Sequence, residues 1–189
     1  ILYGSANGTR TPQTISGSVS KSRFGASAVL GDVNGDSHAD IIVGSPHDDD
    51  TVNGLVDAGS VTVFSGSGFG KLQKIYGATA KAHAGTSVAT GKVDSITGAD
   101  VIIGAPNDDD IGNKYVDAGS ASVYNITDAN TPIMKKYGAV AKTYLGKSVA
   151  AGNVDGVVGN EVLAGAPGDD NGSLKDTGSV TVFFADATP

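Results

Sequence analysis

The sequence predicts an all-β chain assembled from one unit used three times, and three observations carry that prediction. Glycine supplies 28 of 189 residues, while Trp is absent and Met occurs once. Val, Ile, Ser, Thr and Ala fill the intervals, a composition of short strands joined by tight turns. No stretch sustains a 3.6-residue apolar period, so long amphipathic helices are not expected. Above all, the chain repeats itself. Gly17, Gly77 and Gly138 open equivalent stretches at offsets of 60 and 61 residues. Gly25, Gly85 and Gly146 follow, preceded by Phe24, Ala84 and Leu145, and then come Gly31, Gly91 and Gly152. Gly44-Ser45-Pro46, Gly104-Ala105-Pro106 and Gly165-Ala166-Pro167 recur next, and each unit carries an Asp-Ala-Gly-Ser or Asp-Thr-Gly-Ser element at Asp57, Asp117 or Asp176. Coincidence at one period means a single supersecondary unit used repeatedly.

The elements follow in order. In the first unit, Ala26–Leu30, Asp40–Gly44, Ser60–Phe64 and Leu72–Tyr76 read as four strands. Asp100–Gly104, Ser120–Tyr124 and Ile133–Tyr137 repeat them in the second unit, and Glu161–Gly165 and Ser179–Phe184 in the third. Ile41-Ile42-Val43 and Val101-Ile102-Ile103 are continuously apolar, as strands covered on both faces should be. Val61/Val63 and Val180/Val182 alternate with small polar residues, which predicts one wet face. Pro46, Pro106 and Pro167 each end a strand, where a missing N–H costs little. Four antiparallel strands per unit make the sheet that β-propellers stack radially.

The units are expected at 17–76, 77–137 and 138–189, with 1–16 the tail of a preceding repeat, because Ile1-Leu2-Tyr3 stands before Gly17 as Tyr124 stands before Gly138. Propellers close with about four to eight blades, so three are expected to be part of a larger ring or to be completed by association of chains. A third route uses the segment Gln13–Gly17 as the missing strand of the last unit.

Charge narrows the function. The net charge is −7, and Glu161 is the single glutamate among 20 acidic residues. Asp suits turns and hard-cation loops, whereas Glu favours exposed helices. A negative field without a basic stripe argues against nucleic-acid binding, and no apolar run is long enough for membrane insertion as a helix. Without cysteine, disulfides and thiol chemistry are excluded.

The loop Asp32-Val33-Asn34-Gly35-Asp36-Ser37-His38-Ala39-Asp40 places oxygen-bearing side chains at Asp32, Asn34, Asp36 and Asp40. Alternation on a curled backbone aims them at one hard cation, Gly35 permits the bend, and the His38 carbonyl can add a backbone oxygen. The second loop has Lys92, Asp94, Ile96 and Asp100 instead, so no metal is expected there: the Lys92 ammonium either replaces it beside Asp94 and Asp100 or points into water. The third, with Asn153, Asp155, Val157 and Glu161, keeps three oxygen-bearing side chains at Asn153, Asp155 and Glu161 and is a weak metal candidate at most. Asp48-Asp49-Asp50, Asp108-Asp109-Asp110 and Asp169-Asp170 follow the prolines; they read as Asp residues capping their own loops, with a second cation site as the alternative. Lys21, Lys81 and Lys142 recur as partners for neighbouring acidic loops or as solvated edge lysines. His38, His47 and His83 stand at non-equivalent positions, and no persuasive catalytic motif appears. Asn7, Asn125 and Asn171 head formal glycosylation sequons.

Phe24-Gly25, the loop from Asp32 to Asp40 and Gly44-Ser45-Pro46 together resemble the FG-GAP repeat of integrin α-subunit propellers, which also occurs in bacterial surface and secreted proteins. Ala84 and Leu145 depart from the pattern at the Phe. The resemblance implies Ca²⁺ at Asp32, Asn34, Asp36, His38 (through its carbonyl) and Asp40. It also implies a non-enzymatic, extracellular or cell-surface module for adhesion or recognition, whose partner is an extracellular protein or glycan ligand. A lectin-like propeller, an accessory domain of a secreted enzyme and a structural subunit of a surface assembly are the other readings, and self-association is a further expectation.

Overall fold

The computed structural model describes residues 12–128 and 131–184. Within them lie eleven strands: β1 (Ser27–Gly31), β2 (Asp40–Ser45), β3 (Ser60–Phe64), β4 (Lys71–Tyr76), β5 (Ser87–Gly91), β6 (Asp100–Ala105), β7 (Ser120–Tyr124), β8 (Met134–Tyr137), β9 (Ser148–Gly152), β10 (Glu161–Ala166) and β11 (Ser179–Phe183). A single 3₁₀ turn, Ile126–Asp128, is the only helical element among the described residues. The strands form antiparallel meanders β1-β2-β3-β4, β5-β6-β7-β8 and β9-β10-β11. The all-β, propeller-type fold expected from the repeat is therefore present. The third sheet has three described strands, not four, and no described residue pairs with the outer edge of β11. Ile1–Tyr3, the expected tail strand, lies outside the described residues. Residues 12–17 form no strand.

The blades stack through their first strands, β1 against β5 and β5 against β9. Apolar side chains fill the seams. Ile42, Val61 and Val63 meet Val101, Ile103 and Ala105 between blades 1 and 2; Ile102 and Val123 meet Val162 between blades 2 and 3. Sandwiched on both faces, β6 is buried along its whole length. β3 departs from the expected wet face, since Ser60 and Thr62 are buried beside Val61 and Val63. In blade 3 the matching strand is open: Val180 is 68% exposed, against 0% for Val61 and 1% for Ala121 at the equivalent positions. The difference follows from neighbours, because β11 has neither a fourth strand nor a following blade described beside it.

Hydrogen bonds also cross each seam. Lys81, His83 and Ala84 donate their N–H groups to the carbonyls of Val56, Asp57 and Ala58; Lys142, Tyr144 and Leu145 do the same to Val116, Asp117 and Ala118. Left-handed φ values near 60° at Lys81 and Lys142 aim these donors. Lys81 and Lys142, two of the three recurring lysines, thus act through their backbones. Their side chains are exposed and form no ion pair among the described residues. The first two Gly-x-Pro glycines permit the close stacking, since a Cβ at Gly44 or Gly104 would fall 2.1 Å from the carbonyl oxygen of Gly85 or Gly146.

Candidate metal loop and the buried carboxylates

In the loop between β1 and β2, backbone donors fold around side-chain oxygens. Asp32 accepts the N–H groups of Gly35 (2.7 Å), Asp36 (3.1 Å) and Ser37 (2.8 Å). Asn34 Oδ1 accepts Asp36 N–H, and Asp36 Oδ1 accepts His38 N–H, each at 2.8 Å. Gly35 sits at φ 77°, the left-handed bend expected there. Hydrogen bonds from the His38 backbone and then from the Asn34 amide hold the Asp36 carboxyl below its ordinary value. The loop therefore gathers the side-chain oxygens of Asp32, Asn34 and Asp36, with the Asn34 amide donating to Asp36 Oδ2 at 3.1 Å. The His38 ring folds back on Asp36, with Nδ1 3.1 Å from its carbonyl and 3.3 Å from its carboxylate.

Asp40 does something else. It is fully buried, with Oδ2 accepting Val33 N–H and Oδ1 accepting Gly66 N–H, both at 3.0 Å. It ties the β1–β2 loop to the β3–β4 turn.

The second and third loops close on different donors. Lys92 Nζ reaches back 2.7 Å to the Ile96 carbonyl. The ammonium thus occupies the loop, though by capping a carbonyl and not by pairing with Asp94 or Asp100. In the third loop the Asn153 amide donates to the Val157 carbonyl, its Oδ1 accepts Gly156 N–H, and Asp155 accepts Val157 N–H. Glu161 is buried and accepts Val154 N–H at 2.7 Å, the task Asp40 performs with a shorter side chain.

The acidic runs after the prolines divide their carboxylates among separate tasks. Asp48 is buried, accepting Ser60 Oγ–H at 2.6 Å and pairing with Lys74 at 2.5 Å. Asp49 accepts Asp57 N–H, and Asp50 caps Val52 and Asn53. Asp108, Asp109 and Asp110 repeat the scheme with Ser120, Lys135, Asp117 and Asn113. Burial alone would depress the Lys74 ammonium, but Asp48 and Tyr76 outweigh it and hold it above the ordinary lysine value. Lys74 and Lys135 also lie over the rings of Tyr76 and Tyr137, each 4.7 Å from the centroid. The lysines of these buried Asp–Ser–Lys groups stand 61 residues apart and their aspartates 60, so one fixed period does not align them; Lys-x-Tyr is the sequence signal they share. Among the sequons, Asn125 is buried with its oxygen on Thr127, which leaves no accessible acceptor; Asn171 is exposed, and Asn7 lies outside the described residues.

A second cluster forms where the sequence shows only scattered histidines. His47 and His83 come together at the first seam, with ring centroids 4.6 Å apart, and His47 Nδ1 lies 3.1 Å from Asp57 Oδ1. They meet because the first seam sets the residue after the proline of repeat 1 against the residue before the Phe/Ala/Leu position of repeat 2.

The FG-GAP repeat family model matches residues 24–64. The matched span opens at Phe24, runs through β1, the Asp32–Asp40 loop and β2, and ends with β3. The strand plan, the loop and the Gly-x-Pro close approach all lie inside that span, so residues 24–64 match the FG-GAP repeat in sequence and the second unit repeats its propeller-type strand plan.

Proposed function

We propose that the chain is a non-catalytic β-propeller module acting outside the cell in adhesion or ligand recognition, stabilised by one Ca²⁺ at the Asp32–Asp40 loop. One observation carries the calcium assignment: the first loop brings together the Asp32 and Asp36 carboxylates and Asn34 Oδ1, whereas the second seats Lys92 Nζ on its own carbonyl and the third has Asn153 and Val157 where the first has those carboxylates. A hard dication suits an all-oxygen set. Asp32, Asn34 and Asp36 would hold it, the His38 carbonyl would complete the backbone share, and Asp40 anchors the loop. The ion would neutralise the exposed carboxylates and lock the β1–β2 connection. The recognition role and extracellular setting rest on the FG-GAP resemblance and on millimolar-range calcium affinities being useful where calcium is abundant. The partner is an extracellular protein. A glycan is the weaker candidate, because the faces of Tyr76 and Tyr137 already carry lysines.

Thermal melts in calcium and in EGTA test the reading. At free calcium a hundredfold above Kd, the native state gains about 2.7 kcal/mol, and Asp36→Ala or Asp32→Lys should abolish that gain. Identical melts of the unaltered chain with and without chelator would sink the assignment.

A further inference from the structure

We propose that the seam between repeats 1 and 2 is a separate site for a divalent transition metal, with Zn²⁺ the reference ion, built by His47 and Asp57 of repeat 1 and His83 of repeat 2. One ring nitrogen of each histidine and a carboxylate oxygen of Asp57 all lie within 4.8 Å of one another. Zinc bonds to nitrogen and oxygen at about 2.0–2.2 Å, so modest side-chain rotations bring these atoms into one coordination sphere. Two imidazoles and one carboxylate are a borderline-soft set, unlike the all-oxygen loop at Asp32, and select zinc-like ions over calcium.

The ligands are mounted on fixed backbone. His83 N–H donates to the Asp57 carbonyl across the seam, His47 N–H donates to the Ser22 carbonyl, and Asp57 N–H donates to Asp49. The rings are oriented as well. Asn107 Nδ2 donates to Asp117 at 3.0 Å, which turns Asn107 Oδ1 toward His83 Nδ1, also at 3.0 Å. An accepting oxygen there places the proton on Nδ1 and leaves the lone pair of His83 on Nε2. Outer-shell oxygens of this kind are what hold metal-binding imidazoles in place. A cavity of about 260 Å³ adjoins the cluster, lined in part by Arg23, Lys147 and Asn107, and gives a fourth ligand room to enter. Its two cations favour an anionic one.

The second seam supplies the internal control. There Asn107 stands where His47 stands, Tyr144 replaces His83, and the Asn107–Asp117 hydrogen bond reproduces the His47–Asp57 contact. Packing the seam therefore needs neither imidazole. His47→Asn and His83→Tyr convert the first seam into the chemistry of the second.

The test is a zinc titration of the full chain against a chromophoric chelator, with calcium present to saturate the Asp32 loop. The unaltered chain and His38→Asn should each take up one Zn²⁺ at this site, while His47→Asn and His83→Tyr weaken it at least about tenfold with unchanged melting in chelator. Ring ¹⁵N shifts of the unaltered chain give a readout free of any folding defect: zinc should move His47 and His83 and leave His38. No zinc uptake, uptake indifferent to both seam variants, uptake lost in His38→Asn, or ring shifts confined to His38 would each overturn the proposal.

Discussion

Repeats 1 and 2 share one plan, yet each leaves a different buried carboxylate half-satisfied. In repeat 1, Asp40 has amides on both oxygens, while Asp48 Oδ1 has no partner among the described residues. In repeat 2 the pattern inverts: Asp108 Oδ1 accepts the Thr79 hydroxyl at 2.8 Å, and Asp100 Oδ1 is the unpaired atom. Single residues explain both. Gly66 brings its N–H to Asp40 because it has no Cβ, which would lie 2.2 Å from the Ala39 carbonyl oxygen. Ile126 holds the equivalent position in repeat 2 and cannot approach in that way. Conversely, Val19 stands where repeat 2 has Thr79, and a methyl replaces the hydroxyl that Asp48 lacks. A repeat thus fixes where carboxylates are buried, and a few non-repeating neighbours decide whether burial is compensated.

The largest break in this comparison should come from Gly66→Val. It forces the turn off Ala39 and strips an amide from a buried carboxylate, at a cost of about 3 kcal/mol in urea unfolding. A loss below the error of the measurement would show that the turn relaxes freely.

Asparagine at the paired aspartates gives the next effect, with opposite outcomes. Asp40→Asn turns one accepting oxygen into a donor facing Gly66 or Val33 N–H and should cost about 1–3 kcal/mol. Asp100→Asn keeps an oxygen for the Val93 and Asp94 amides and removes a charge from a buried site. Burial pushes the Asp100 carboxyl up, with those two amides drawing it part of the way back. A carboxyl raised on folding takes up a proton, so its stabilising contribution is full below the ordinary value of 3.8 and is lost as pH rises through the raised folded value. Asp100→Asn should abolish that decline and be at least as stable as the parent at neutral pH. Equal losses in the two variants would erase the distinction drawn between the repeats.

The smallest change is a repair. Val19→Thr copies Thr79 and offers Asp48 Oδ1 a hydroxyl, which should stabilise by about 1 kcal/mol. A destabilised variant would mean that the first turn of repeat 1 does not place residue 19 as Thr79 is placed.

Much of this architecture is legible in the sequence. Strand positions follow from Gly-bounded apolar runs, and β3 and β7 begin and end where Ser60–Phe64 and Ser120–Tyr124 predict. The gathering of Asp32, Asn34 and Asp36 is likewise readable, because alternation on a glycine bend has few geometric outcomes. What the sequence hides depends on seams. The burial of Thr62 comes from blade stacking, which strand alternation cannot express. The anchoring role of Asp40 needs Gly66, 26 residues away and on another turn. His47 and His83 look unrelated until a seam pairs non-equivalent positions of successive repeats.

Those seam hydrogen bonds have a temporal consequence. The Thr143 hydroxyl bonds the Ala118 carbonyl across only 25 residues of chain, and the neighbouring backbone bonds span similar intervals. Hairpins within each blade are shorter still, and the other seam contacts, such as the Ser27 hydroxyl on the Gly85 carbonyl 58 residues on, reach only into the next repeat. A chain emerging from the ribosome can therefore finish one blade and latch the next onto it a few seconds later, without waiting for a distant partner. Folding order is written along the chain in the same direction as synthesis.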